Sequence, residues 1–208
     1  MGVFHGSACS HCRRENLKLF LKGDRCYTEK CAFERRAYPP GQHGQNRTKF
    51  SEFALQLREK QKVRRLYGLL EKQFKNYVGK ALKETGVTGE KLLTNLERRL
   101  DDVVYKMGFA NSRLQARQLV SHGHFLVNGK KVTIPSFLLK ETDVIQVREK
   151  SRTSTAILAA IDSVKRREIP QWLELDAPNF KGTVKQLPKR ADIMVPIQEN
   201  LIVEYYSR

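Results

Sequence analysis

Residues 112–132 read SRLQARQLVSHGHFLVNGKKV, and this stretch decides how the centre of the chain folds. The apolar spacing over 113–122 predicts a short helix, and Gly123 ends it because glycine accepts the left-handed backbone that follows many helices. A strand over 124–127 comes next, and the Asn-Gly pair at 128–129 is the dipeptide most typical of a two-residue hairpin turn. The stretch therefore predicts a helix that leads directly into an antiparallel hairpin.

The remaining strands of a small sheet are predicted from short apolar runs. A return strand over 130–134 completes the hairpin, and a second antiparallel pair is predicted at 137–139 and 144–147. Two later runs, 172–175 and 183–184, are predicted to join the same sheet. The centre of the chain is therefore expected to contain helix packed on a small antiparallel sheet.

Helical spacing of apolar residues marks the segments on either side of this block. Ser51 predicts the start of one helix as its N-cap, a second helix is predicted at about 70–85, and a third covers 88–107. Residues 154–167 predict a further helix. The tail, 199–207, fits either a short helix or an alternating strand, and the sequence leaves both open.

The charge balance is the most unusual property of the composition. The chain of 208 residues carries 39 Lys and Arg against 22 Asp and Glu, a formal net charge of +17. Such an excess attracts polyanions, of which nucleic acid and anionic membrane surfaces are the abundant ones. No stretch approaches the ~20 apolar residues of a membrane span, and residues 1–6 lack the apolar core of a signal peptide. We therefore expect a cytoplasmic protein that binds nucleic acid and has no membrane partner.

The positive charge is concentrated in two segments without acidic residues, 35–51 and 103–140. A solvated surface normally mixes both signs, so unbroken positive charge favours contact with nucleic acid. Arg113 and Arg117 are four residues apart and are expected to point outward from one helix face, while the apolar face packs on the sheet. The lysine pair at 130–131 is expected to reach a second row of phosphates. RNA is favoured over DNA because no element resembles a major-groove recognition helix in a dimeric frame.

All the cysteines of the chain lie near its start, at Cys9, Cys12, Cys26 and Cys31. The spacing C-x2-C-x13-C-x4-C predicts two knuckles that converge on one tetrahedral zinc ion, and a full set of four thiolates indicates a structural site. The basic neighbours that are expected to favour the thiolate form are Arg13, Arg14, Arg25 and Lys30. An iron–sulfur cluster is the alternative cofactor. Four free thiols, or two disulfides in a secreted protein, are the alternatives to any metal.

Several motifs resemble one known family. The helix–hairpin stretch within 99–132 is similar to the RNA-binding module named for small-subunit ribosomal protein four, which also occurs in pseudouridine synthases, tyrosyl-tRNA synthetases and some methyltransferases. The motifs that narrow the resemblance to bacterial-type ribosomal protein four are Cys26-Tyr27, Arg35-Arg36, YPPGQHG at 38–44, LREKQK at 57–62, Tyr67-Gly68, EKQF at 71–74 and YYSR at 205–208. The resemblance covers nearly the whole chain. Not all members of that family keep four cysteines, and this chain resembles the four-cysteine, zinc-containing form.

The resemblance implies an α+β protein with an inserted domain. A metal-stapled N-terminal segment, 1–45, precedes an all-helical domain, 46–97, to which the tail 197–208 returns. Set into that domain is an α/β RNA-binding domain of helices packed on a small antiparallel sheet, 98–196, with the helix–hairpin module at about 98–160.

The resemblance also implies a function. The chain is expected to be a structural constituent of the small ribosomal subunit that binds a multi-helix junction of the 16S rRNA directly and early in assembly. Small-subunit protein five is expected as a neighbour, together with a position near the path along which mRNA enters and an influence on translational accuracy. No small-molecule substrate is expected. The candidate RNA-contacting residues are Arg13, Arg14, Lys30, Arg35, Arg36, Tyr38, Gln42, His43, Arg47, Arg58, Lys62, Arg65, Arg113, Arg117, Gln118, His122, His124, Asn128, Lys130 and Lys131.

Two other classes of protein use similar features. An RNA-modifying enzyme could carry the same module, but residues 1–97 contain no glycine-rich cofactor loop and no hydrolase or metalloprotease motif. A zinc-stabilised transcription regulator would fit the cysteines, but the helix–hairpin stretch does not favour duplex DNA. The sequence therefore favours an RNA-binding protein that is not an enzyme.

Overall fold

The computed structural model describes residues 6–46, 49–164 and 168–207. The chain forms two compact units, a helical unit of Met1–Leu92 with Val195–Arg208 and a sheet unit of Leu93–Met194. The predicted α+β class is confirmed, since one unit is helical and the other combines helices with a small antiparallel sheet. The sequence also predicts a separate metal-binding segment at 1–45 before the helical domain, and that division of the helical unit stays a prediction.

Helices and short strands follow one another along the chain. The helices, numbered in chain order, are α1 (Ala8–Glu15), α2 (Ala32–Arg35), α3 (Glu52–Leu66), α4 (Glu71–Ala81), α5 (Thr88–Glu97), α6 (Leu100–Lys106), α7 (Arg113–Ser121), α8 (Thr155–Val164) and α9 (Glu199–Ser207). The strands are β1 (Phe125–Val127), β2 (Lys130–Lys131), β3 (Val144–Val147), β4 (Leu173–Asp176) and β5 (Lys181–Val184). Short 3-10 turns lie at Gly23–Tyr27, Glu149–Ser151 and Arg190–Asp192. No helix in the described ranges is long and apolar enough to cross a membrane.

The tail of the chain forms a helix that packs in the helical unit. α9 lies along α3, where the centroids of the Phe53 and Tyr205 rings are 5.6 Å apart. The Tyr206 hydroxyl donates to the Glu71 carboxylate at the start of α4 at 3.0 Å, and Ile202 is fully buried. The alternative of a strand in the tail is therefore wrong, because only helical spacing brings these three tail residues onto one packed side.

Alanine substitutions at two helical glycines of this unit are expected to change its stability in opposite directions. A Cβ added at Gly89 in α5 would lie 2.6 Å from Glu199 Cγ and 2.8 Å from Glu199 Cβ at the start of α9, closer than packed atoms allow. We expect Gly89→Ala to lower the free energy of unfolding of the helical unit by about 1–3 kcal/mol, as overpacking does. Gly79→Ala in α4, where a Cβ would meet nothing within 4 Å, should raise that free energy by up to about 1 kcal/mol. Urea unfolding followed by circular dichroism measures both, and shifts in the same direction would contradict this packing.

The sheet unit is built on one antiparallel sheet, whose strands lie in the order β2-β1-β3-β5-β4. β1 and β2 form the predicted hairpin, with Leu126 opposite Lys131 and Val127 opposite Lys130. β3 pairs with the other side of β1, so β2 is an edge strand. The prediction that the apolar face of α7 packs on the sheet is confirmed, since its residues join one core with α6, α8 and the strands. The largest fully buried side chains of that core are Trp172, Phe109 and Phe125.

One predicted helix is two helices in the structure. The predicted helix over 88–107 is broken between α5 and α6, because a loop from later in the chain takes up the first N–H groups of α6. The Leu100 N–H donates to the Phe137 carbonyl at 2.9 Å, and the Asp101 N–H donates to the Pro135 carbonyl at 3.2 Å. These bonds satisfy helix-start groups that would otherwise lack partners, and they fix the loop after the hairpin against α6.

The predicted strand at 137–139 is wrong. A single isolated bridge between Arg99 and Leu138 takes its place, because this segment pairs with the break between α5 and α6 and not with a strand. The return strand is shorter than predicted for the same reason. β2 ends at Lys131, and the chain beyond it leaves the sheet toward the start of α6.

One predicted helix ends earlier in the structure than the sequence predicts, and another is described only in part. α4 ends at Ala81 instead of at about 85, because tighter bonds follow it: the Lys83 N–H donates to the Lys80 carbonyl at 3.0 Å. α8 ends at Val164. Its predicted continuation over 165–167 lies outside the described residues.

Candidate nucleic-acid interface and cysteine site

The cysteines come from different local elements of the helical unit and meet at one cavity. α1 carries Cys9 and Cys12, the 3-10 turn at Gly23–Tyr27 carries Cys26, and Cys31 lies directly before α2. The other residues that line this cavity are Ala8, Leu21, Lys22 and Phe33. All four thiols are free, so the alternative of two disulfides is wrong. The convergence of the four side chains is what their spacing in the sequence predicts.

Burial controls the protonation of two of these thiols. It raises the pKa of Cys12. A hydrogen bond from the Leu19 N–H lowers that pKa by less than burial raises it, and the other three cysteines raise it further. Burial also raises the pKa of Cys26, although the Lys22 N–H donates to its sulfur at 3.4 Å and opposes the rise. Burial therefore outweighs the nearby positive charge at these two thiols, and the thiolate form of the cysteines stays a prediction.

The fit of a metal to this cavity rests on its donor set. Within 6–46, 49–164 and 168–207, no group of three or more His, Cys, Asp or Glu side chains has the arrangement of a finished metal site. The cavity nevertheless brings together four thiols, which is the number and type of donor that structural zinc takes. Metal binding by the cysteines stays a prediction.

A buried carboxylate connects the cysteine-bearing helix α1 to α3. The Glu15 side chain is 2% exposed, and its Oε1 lies 2.5 Å from Arg65 Nη1 and 3.5 Å from Arg58 Nη1. Burial raises the pKa of Glu15, and the two arginines oppose that rise. Lys62 on the same helix bonds to Glu59 at 2.5 Å. Three of the predicted RNA-contacting cations are thus engaged inside the helical unit, and their contact with RNA stays a prediction.

The arginines of α7 lie in the interior of the sheet unit. Arg117 is 8% exposed, and its Nη2 lies 2.8 Å from Asp101 Oδ2. Arg99 contacts the same carboxylate through two nitrogens, at 2.7 and 3.0 Å. Arg113 pairs with Asp102. The prediction that Arg113 and Arg117 point outward is wrong, because α6 supplies two carboxylates to a helix that has no acidic residue of its own.

The second of these carboxylates belongs to a larger buried cluster. Burial raises the pKa of Asp102 to about 6, although Arg113 beside it opposes the rise. Lys106 Nζ lies 3.5 Å from Asp102 Oδ2 and also pairs with Glu97, and burial lowers the pKa of Lys106. Sequence reasoning missed this cluster. Its one signal is the pair of acids at 101–102, which directly precedes the long segment without acidic residues.

The turn between α7 and β1 gathers basic side chains at the surface. Gly123 has a φ of +77°, and a Cβ there would lie 2.3 Å from Lys131 Cε, so glycine leaves the space in which Lys131 crosses the turn. The centroids of the His122 and His124 rings are 6.2 Å apart. Burial lowers the pKa of His124, with smaller contributions from His122 and Arg148, so its ring is neutral at physiological pH. Lys131 and His122 are both exposed here.

Asn128 has a structural role at the hairpin. Its φ of +50° is the left-handed conformation that the first turn residue needs. Its side-chain amide donates to Asp143 Oδ1 at 2.8 Å, and its Oδ1 accepts from the Val144 N–H at 2.9 Å. The hairpin is therefore fixed to the start of β3, and Lys130 projects from a firmly held turn.

Two arginines of α1 connect that helix to the 38–44 loop. Arg13 Nε donates to the Tyr38 carbonyl at 2.9 Å, and the Arg13 guanidinium lies 5.0 Å from the centroid of the Tyr38 ring. Arg14 donates to the Pro40 carbonyl at 3.0 Å. The loop that the sequence predicts to face RNA is thus held by cations that the sequence also predicts to contact RNA.

The predicted contact residues fall into two groups. The residues exposed to solvent are Arg14, Lys30, Arg35, Arg36, Gln42, His43, Gln118, His122, Asn128, Lys130 and Lys131. The residues that are partly or fully buried are Arg13, Tyr38, Arg58, Lys62, Arg65, Arg113, Arg117 and His124. Arg47 lies outside the described residues.

The fold and this distribution of charge define a nucleic-acid-binding protein. Comparisons with known proteins narrow the class. The family described as Ribosomal protein S4/S9 N-terminal domain matches residues 4–97, and the S4 domain matches residues 98–145.

Relatives of the chain match it from end to end. The small ribosomal subunit protein uS4A of Bdellovibrio bacteriovorus is 62% identical over 208 residues, which cover 100% of both chains. The uS4 proteins of Trichlorobacter lovleyi and Pelobacter propionicus are 63% and 62% identical with the same coverage. The chain belongs to the uS4 family of small ribosomal subunit proteins, as its motifs predict.

Proposed function

We propose that the chain is a structural constituent of the small ribosomal subunit and binds a multi-helix junction of the 16S rRNA directly. Membership of the uS4 family supports the ribosomal role, and a member of this family is located in the cytoplasmic ribosome. One observation carries the RNA-binding part of the proposal. Buried arginines are paired with carboxylates, whereas Arg35, Arg36, Lys130 and Lys131 are exposed and have no acidic partner in the part of the chain that is described.

The buried charges position the exposed ones. Arg117 on Asp101 fixes α7 against α6, and Asn128 fixes the hairpin against β3. The backbone that carries the hairpin lysines (Lys130 and Lys131) therefore needs little reorganisation when they meet phosphates, which lowers the cost of binding. Each cation that contacts a phosphate releases condensed counterions, and this release drives association with RNA.

A salt titration of RNA binding tests the proposal. The affinity of the full chain for 16S rRNA should fall steeply with salt, and about six phosphate contacts imply a loss of roughly a thousandfold between about 50 and 200 mM. Duplex DNA at the same salt concentrations is the control. An rRNA affinity that does not change with salt would contradict the mechanism, and tighter binding to duplex DNA would favour the transcription regulator.

Neutralising the hairpin lysines should weaken rRNA binding by a measurable amount. The double variant K130Q/K131Q removes two exposed cations, so the slope of log affinity against log salt should become less steep by about 2. The matched control is K181Q/K185Q, which removes two exposed lysines, one at the start of β5 and one directly after it, away from the hairpin edge of the same sheet. We expect that control to change the slope by less than about 1. Equal changes in the two double variants would show that the hairpin has no special place in binding.

The proposal includes the neighbours of the chain in the subunit. We expect it to join early in assembly, to contact small-subunit protein five, to lie near the path along which mRNA enters and to influence translational accuracy. These expectations are supported by family resemblance. Cross-linking in purified small subunits tests them, since adducts to protein five and to bound mRNA are expected. Consistent absence of both adducts from subunits that contain the chain would contradict them.

The proposal also includes one zinc ion held by the cysteines, with an iron–sulfur cluster as the alternative cofactor. The ligands would be Cys9, Cys12, Cys26 and Cys31, and their convergence on one cavity supports this. Zinc would supply a structural cross-link between α1, the following 3-10 turn and the start of α2, and four protein donors leave no open position for a substrate. Elemental analysis together with visible absorbance distinguishes the two cofactors.

No catalytic role is part of the proposal. The family is one of ribosomal structural proteins and not of enzymes. The buried carboxylates of both units, which would be the natural acid–base groups, are engaged by arginines and lysines of the same unit. We therefore propose no small-molecule substrate.

A further inference from the structure

The loop between β2 and β3 has two apolar side chains on its outer surface. Ile134 is 58% exposed and Phe137 is 38% exposed. Two other residues of the loop face inward, since Pro135 is buried and Leu139 is 1% exposed. The loop therefore has inner residues that pack on the sheet unit and an outer pair (Ile134 and Phe137) that the fold leaves in solvent.

Hydrogen bonds hold this loop in one conformation. The carbonyls of Pro135 and Phe137 cap the start of α6. The Leu139 N–H donates to the Arg98 carbonyl at 2.9 Å, and Arg98 Nε donates to the Leu139 carbonyl at 2.8 Å. The Phe137 N–H donates to the Ile134 carbonyl at 3.1 Å, so the outer pair forms the two ends of one four-residue turn, with Cα atoms within about 7 Å. The outer pair is thus presented by a rigid backbone.

The residues that flank the outer pair in the sequence are basic. Lys130 and Lys131 precede it, Lys140 follows it, and all three are exposed. No acidic residue occurs over 103–140 in the sequence. A surface that combines exposed apolar groups with cations fits RNA, because a base has an apolar face and the backbone beside it is anionic. The exposed lysines that flank the loop favour this partner over the apolar surface of a neighbouring protein.

We propose that Phe137, with Ile134 beside it, is a stacking platform for one unpaired base of the bound RNA. The inference rests on the proposed rRNA-binding function. The ligand of the loop would be a base outside a paired helix, next to phosphates that the lysines contact. Aromatic side chains bind unpaired bases by stacking, which tolerates any base because each has a π-face. No other ring of the described residues stacks on Phe137, so its ring is available to a base.

Substitutions of the ring separate stacking from simple apolar contact. Phe137→Ala should weaken the affinity of the full chain for 16S rRNA by about tenfold at fixed salt, and the salt slope should not change because no charge is removed. Phe137→Tyr keeps an aromatic ring and should bind within about twofold of the unaltered chain. Phe137→Leu keeps an apolar side chain without a ring and should bind like Phe137→Ala.

The matched control is Leu158→Ala, which removes another exposed apolar side chain, 41% exposed, from α8 of the same unit. It should leave the affinity for 16S rRNA unchanged. The fluorescence of Trp172, which is 1% exposed in the sheet unit, shows whether each variant is folded. Ultraviolet cross-linking gives a second readout, since a nucleotide adduct on the peptide that contains Phe137 is expected in the unaltered complex.

The outcomes distinguish this inference from the function on which it rests. Unchanged affinity of Phe137→Ala, or equal affinities of the Leu and Tyr variants, would overturn the platform while salt-dependent rRNA binding remained. Failure of the unaltered chain to bind rRNA would overturn the proposed function, and the platform with it. Normal binding of Phe137→Ala to bare rRNA, combined with its loss from assembled subunits, would show that the outer pair contacts a protein and would also overturn the platform.

Discussion

Replacing Asp101 by Asn is expected to lower the free energy of unfolding of the sheet unit by about 3–5 kcal/mol. The Asp101 carboxylate lies 2.7 Å from Arg99 Nη2 and 2.8 Å from Arg117 Nη2, and none of the three side chains is more than 10% exposed. The loss follows because the variant leaves two guanidinium groups in the interior without that counter-charge. The same change removes the bonds that fix α7 against α6.

The single tryptophan of the chain provides the measurement for this variant. Trp172 is buried in the core of the sheet unit, so its fluorescence during urea unfolding reports on that unit. Glu174→Gln is the matched control. It also removes a carboxylate from an ion pair, 3.6 Å from Lys185, but both side chains are more than half exposed. The control should cost less than about 1 kcal/mol, and an equally small loss for Asp101→Asn would contradict a structural role for the buried pair.

Chelation of the proposed zinc ion is expected to abolish slow amide exchange over much of 6–46, while 100–150 keeps its protection. The start of α2 depends most on the metal, since that helix has four residues and none of them is buried. Structural zinc contributes about 10–16 kcal/mol of binding free energy in zinc-finger peptides, and most of that is folding free energy of the metal-bound segment. The end of α1 should lose protection last, because Glu15 still pairs with Arg65 on α3.

Hydrogen exchange followed by mass spectrometry measures this effect peptide by peptide. Cys31→Ser, without chelator, should exchange like the chelated protein. Ala32→Ser alters the next residue, keeps all four thiols and should exchange like the unaltered chain. Loss of protection spread evenly over both units would contradict a local structural metal, and no change at all would exclude a structural contribution from it.

The parts of the fold that depend on neighbouring residues could be predicted from the sequence. Ser51 accepts from the Ala54 N–H at 3.3 Å, as an N-cap does, and Asn128 and Gly129 both have the positive φ of the predicted hairpin turn. The break between α5 and α6 could not be predicted in this way. The carbonyls that cap α6 belong to a loop far along the chain, and no local pattern at the break announces them.

The candidate site has the same limit. The spacing of the cysteines was enough to predict their convergence, but the rise in the pKa of Cys12 depends on burial that spacing does not report. The segment 103–140 has no acidic residue in the sequence, but the fold brings one against it. Asp101 on α6 pairs with Arg117 on α7. The exposure of Phe137 likewise depends on which side of its loop is anchored, and this becomes visible only in the folded chain.

The central claim is that exposed cations hold this chain on the RNA of the small ribosomal subunit. Co-sedimentation with small subunits through gradients of rising salt tests it most directly, with K130Q/K131Q and K181Q/K185Q run beside the unaltered chain. We predict that the unaltered chain migrates with the subunits, and that the hairpin variant is released at a lower salt concentration than the control variant. A chain that stays at the top of the gradient at every salt concentration, in the presence of intact 16S rRNA, would contradict the claim.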